Sequence, residues 1–123
     1  AARGGAPALS PDHAEAVAQA RLATLLTPEQ FASYQTRGYF YVYDALTGSG
    51  ALFTGARRTA VGPPHAIIHH GIPYCLQAEG RPGYSMPPTD HVIHRLLLWR
   101  HDQEYVLRIA NPMPETSARH MFV

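Results

Sequence analysis

The chain contains no lysine, and all ten of its basic residues are arginine. It has a single cysteine, Cys75, which excludes an internal disulfide framework and a four-cysteine zinc site. No apolar run approaches the ~20 residues that a membrane-spanning helix requires. Excess charge is also missing: nine acidic residues offset the arginines to a formal net charge of +1. No general field therefore draws the chain toward nucleic acid or an anionic membrane. Arginine without lysine accords with a GC-rich coding sequence, and it equally suits planar, multiply donating contacts at interfaces. Ala1–Gly5 carries no apolar signal region. The expectation is a bacterial product of the cytoplasm, or a phage-particle protein, whose initiator methionine was removed before a small alanine.

At 123 residues the chain has length for one core. The expected division is an N-terminal arm over 1–9, a single domain over 10–111 and a tail over 112–123. Ser10 followed by Pro11 marks a helix start, and Ala14, Val17, Ala18, Leu22 and Leu25 form a helical stripe. Thr27-Pro28-Glu29-Gln30 restarts a helix with a capping box, and Gly38 supplies its C-terminal stop. Tyr39–Tyr43 reads as the clearest strand. A turn at Thr47–Gly50 leads to a second strand near Ala51–Thr54, a weak third is expected at Arg58–Val61, and a fourth and fifth at His65–His69 and Tyr74–Gln77 flank a turn at Gly71. Thr89 and Asp90 open the main helix, which runs to Ala110 with a kink at His101-Asp102 before Asn111-Pro112 ends it. This order predicts an α+β domain: N-terminal helices, an antiparallel meander of four or five strands, and a C-terminal helix packed on one sheet face.

Six of the eight histidines and the cysteine fall between His65 and His101, the densest supply of ligand and acid/base groups in the chain. A zinc site needs three or four ligands converging at ~2.0–2.3 Å. His91 and His94, three apart on a helix, make the best half-site, with His101 as a further candidate. His65 and His69 sit too far apart along a strand for one ion, and strand alternation sends His69 and His70 to opposite faces. Helical phasing places Val92, Ile93, Leu96, Leu97 and Trp99 on the core arc, and His91, His94, Arg95 and His101 opposite them around Leu98. A mixed strand and helix site is therefore not expected, and Arg100 within the apolar arc should reach past the core edge or meet an acid. Cys75 lacks an orienting acid or a nucleophile elbow, and reads as a small core residue. Gly48-Ser49-Gly50 lacks the lysine and spacing of a phosphate loop. No catalytic residue and no cofactor are expected, zinc being the alternative.

Along the first strand Phe40 and Val42 point one way, and Tyr39, Tyr41 and Tyr43 the other. A tyrosine row suits a protein contact, because tyrosine buries much area yet tolerates water. It can also stack the bases of a single strand, though only Arg37, Arg57 and Arg58 are close by to meet phosphates.

Thr27-Pro28-Glu29-Gln30-Phe31, Arg37-Gly38-Tyr39-Phe40-Tyr41-Val42, Thr47-Gly48 and Leu96-Leu97-Leu98 with Asp102 to Asn111 together resemble a family of small, uncharacterised bacterial and phage α+β proteins. The resemblance spans 25–111. It implies the fold and a bacterial or phage origin, and it supplies no active site. The resulting expectation is a non-enzymatic structural or accessory subunit of a larger phage or bacterial assembly. It would dock on other protein subunits through its tails, through Tyr39, Tyr41 and Tyr43, and through a helix face bearing His91, His94 and Leu98. The alternatives are a metal-binding domain built on His91 and His94, and a weak single-stranded nucleic-acid binder.

Overall fold

A computed structural model describes residues 10–76 and 86–112. The elements run α1 (Pro11–Leu25), α2 (Pro28–Arg37), β1 (Tyr39–Asp44), β2 (Ser49–Thr54), β3 (Ala66–His69), β4 (Ile72–Cys75), α3 (Pro88–His101), α4 (Gln103–Ile109) and β5 (Asn111–Pro112). The five strands form one antiparallel sheet in sequence order. The α+β class, the meander and the helix on one sheet face are as the sequence predicts. The arm over 1–9 and the tail from 113 lie outside the described residues.

Local chemistry sets most element boundaries. Ser10 accepts from the His13 N–H at the start of α1. Thr27 and Gln30 complete a reciprocal capping box on α2, and Gly38 closes that helix in the left-handed region at φ +84°. His70 and Gly71, both at positive φ, make the two-residue turn that matches the right-handed twist of β3 and β4. Asp102 breaks the C-terminal helix in two: extended at φ −160°, it caps α4 by accepting from the Tyr105 N–H at 3.0 Å. The kink expected at His101-Asp102 is thus a full interruption.

Two strand assignments are corrected. Arg58–Val61 forms only an isolated bridge between Thr59 and Gly62; this loop folds over the sheet instead of joining it. Asn111-Pro112, expected only to end the helix, pairs with Tyr74 and Cys75 as β5. A proline without an N–H is tolerated in that place because the strand is at the sheet edge.

The core lies between the inner sheet face and the helices. Phe40, Phe53, Leu22, Leu96, Val92, Val106 and Trp99 are fully buried. An aromatic chain runs across it: Tyr34 meets Phe40 edge-on, Phe40 stacks on Phe53 at 5.4 Å, and Phe53 meets Trp99 edge-on at 6.1 Å. The N-terminus of α3 has no cap of its own at Pro87. Glu15 on α1 supplies it, accepting from the Thr89 N–H at 2.9 Å and from the Thr89 hydroxyl, while Tyr34 Oη lies 2.8 Å from that hydroxyl. One carboxylate therefore ties α1 to the positive end of α3. Burial and the Glu15 carboxylate raise the Tyr34 pKa, partly offset by its bond to Thr89.

Candidate functional site

Alternation along β1 sends Phe40 and Val42 inward and leaves Tyr41 and Tyr43 more than half exposed. Cross-strand register continues the same side through Leu52 to Ile68 and Pro73, which are buried. Gly50 lacks a side chain where the Tyr41 ring leans across: a Cβ there would overlap the Tyr41 hydroxyl. Beside this ridge lies an open groove of about 400 Å³, lined by Tyr41, Leu52, Val61, Ile68, His70 and Gly71. At the tip of the β1–β2 turn Leu46 is 97% exposed. The groove lies on the outer face, whereas Leu46 and Tyr43 border a second groove at the end of the hairpin, lined also by Val42, Trp99 and Arg100. Tyr39 is only half exposed and contributes less than the row pattern predicts.

The β1 edge is partly closed to strand addition. The Tyr39 and Tyr41 carbonyls on the free side of β1 accept from Ser33 Oγ at 2.7 Å and Gln30 Nε2 at 2.8 Å.

The histidines occupy three settings. His94 and His101 are exposed, as helical phasing predicts. His69 is buried on the inner face, its ring edge-on to Trp99 at 5.2 Å. Its Nδ1 lies 3.1 Å from the Gly50 carbonyl. A carbonyl only accepts, so Nδ1 carries the proton and Nε2 is left as the free lone pair. His70, expected on the opposite face, stacks on His69 at 3.9 Å, because its left-handed backbone ends the strand alternation.

His65 and His91 correct the phasing most clearly. Expected on faces that do not meet, their rings are 5.2 Å apart. The buried arc of α3 is Thr89, Val92, Arg95, Leu96 and Trp99. It is rotated toward Arg95 and His91 by about half a residue step from the arc that side-chain polarity suggests. Leu97 is consequently exposed, Leu98 packs against the core, and Arg95 is 5% exposed. Of the expected stripe, His94 and His101 are exposed, while His91 and Leu98 are partly buried. Arg95 donates from Nη2 to the Leu76 carbonyl at 3.1 Å. Its Nε and Nη1, and Nδ1 of His65, are buried with no partner among the described residues. Burial, the Arg95 charge and the neighbouring ring all lower the His65 pKa. Burial, Arg95 and His94 lower that of His91, with Asp90 opposing. Burial lowers the Arg95 pKa and Cys75 opposes it. Arg100 reaches past the core edge and donates to the Leu25 carbonyl at 2.9 Å, satisfying the C-terminus of α1.

His91 and His94 do not form a half-site with a third ligand: among the described residues no three histidine, cysteine or carboxylate side chains are grouped to hold a metal. Cys75 is a half-buried free thiol at the end of β4. No described helix is long and apolar enough to cross a membrane. The chain matches no family model, no curated protein and no solved structure.

Proposed function

We propose that the chain is a non-enzymatic structural subunit that assembles through the outer face of its sheet, its first partner being a second copy of itself. The observation that carries this reading is the exposed ridge of Tyr41 and Tyr43 beside the groove lined by Leu52, Val61 and Ile68, with Leu46 projecting from the hairpin tip. A two-fold contact needs a surface complementary to itself, and a patch holding both a projection and a recess meets that requirement. Near-zero net charge leaves little repulsion between copies. Tyrosine supplies rigid contact area at low entropic cost. The α2 side chains bonded along the β1 edge favour face packing over strand addition there. A bacterial cytoplasmic or phage-particle setting is part of the same proposal.

Light scattering coupled to size exclusion tests it. The wild-type chain is expected to run as a dimer at about 100 µM, consistent with a micromolar dissociation constant. The doubly substituted Tyr43→Arg, Leu46→Arg chain should be monomeric with an unchanged circular dichroism spectrum, since both side chains are solvent-facing. A monomeric wild type at that concentration would refute self-assembly by this face.

A further inference from the structure

Away from the outer face, the packing of β4 against α3 gathers cationic and proton-binding groups that lack partners among the described residues. Arg95 comes from the buried arc of α3, with one of its nitrogens bonded to the Leu76 carbonyl. A guanidinium carries five N–H donors, and its Nε and Nη1 have no acceptor among the described residues. His65, held at φ +54° immediately before β3, brings a buried Nδ1 without a partner. His91 lies one turn before Arg95 on the same helix, its ring against that of His65. The charged and titratable groups coupled to the guanidinium are His65 from the loop before β3, Cys75 from β4 and His91 from α3, and His91 in turn feels Asp90 and His94. Asp90 acts on His91 and is not bonded to Arg95. A cation here would meet Arg95, so this is a poor metal site. A buried guanidinium with free donors is costly to the fold unless an anion meets it.

We propose that Arg95, His65 and His91 form a binding site for a small oxyanion of the phosphate type. Arg95 supplies the permanent charge and the donors, and the two imidazoles add charge and N–H donors when protonated. Binding therefore takes up protons and tightens as pH falls.

Calorimetric titration of the full chain with inorganic phosphate, at about pH 5.5 and about pH 8 on either side of the imidazole range, tests the site. Saturable binding is expected at both pH values, and inorganic sulfate, whose charge is the same at both, should bind at least about threefold tighter at the acid pH. R95M, which replaces the guanidinium by an apolar stem of similar length, should lose binding. Without phosphate it should melt no lower than wild type, because an unmatched buried charge has gone. R95K keeps the charge with fewer donors and should bind more weakly than wild type, and H94N, altered at an exposed neighbour, should bind like wild type. Phosphate should also shift the ring-proton resonances of His65 and His91. The proposal is overturned by no wild-type heat, by binding unchanged in R95M, or by an R95M melting temperature well below wild type, the last meaning that an internal acid already matches Arg95.

Discussion

Single side chains hold α1, α2 and α3 together at one junction. Glu15 substitutes for the cap that Pro87 cannot give α3. Glu15→Ala should cost about 1–3 kcal/mol in urea denaturation, the range for stranding buried donors. Tyr34→Phe removes only one hydroxyl contact to Thr89 and should cost about 1 kcal/mol. Because the folded state raises the Tyr34 pKa, the unfolded chain ionises first. Stability should hold below the ordinary tyrosine pKa and fall as pH climbs through the folded value. Tyr34→Phe should flatten that alkaline decline. His65 and His91 act in the opposite direction. Their folded pKa values lie below the ordinary histidine value, so their neutral forms belong to the fold. In anion-free buffer stability should be full above the unfolded histidine pKa and drop as pH falls through the folded values. The His91→Asn chain should show a shallower acid decline in thermal melts.

Elements end where a specific atom stops them. Asp102 offers the α4 amides a carboxylate, and extended backbone at that residue separates α3 from α4. Asp102→Ala should cost about 1 kcal/mol, the usual value of an N-cap, and loosen α4 in hydrogen exchange. Gly38 is less replaceable: at φ +84° a Cβ would also lie 2.8 Å from Arg57 Nε. The caps of α1 and α2, the glycine stop, the first two strands and the turn at Gly71 were legible because each rests on neighbours within a few residues. The cap on α3 was not, since Glu15 and Thr89 are joined only by the tertiary fold. The phase of α3 failed for a related reason. Arg95 looks solvent-facing by residue type, and only the position of Leu76 at the end of β4 gives a buried guanidinium a carbonyl to bond.

Over the described residues the fold is a five-stranded sheet with helices on one face and a loop covering part of the other. The outer tyrosines were readable from strand alternation, which is a purely local period. The groove beside them was not, because it arises where the loop carrying Ala60 and Val61 fails to become a strand and folds over Ile68. The meeting of His65 and His91 escaped sequence reasoning because it depends on how α3 rolls on the sheet. Assembly through the outer face is most directly tested by hydroxyl-radical footprinting at low and high protein concentration. Tyr41, Tyr43 and Leu46 should become protected as concentration rises, while Tyr105, exposed on α4, stays equally reactive. Equal reactivity of all four residues at every concentration would contradict it.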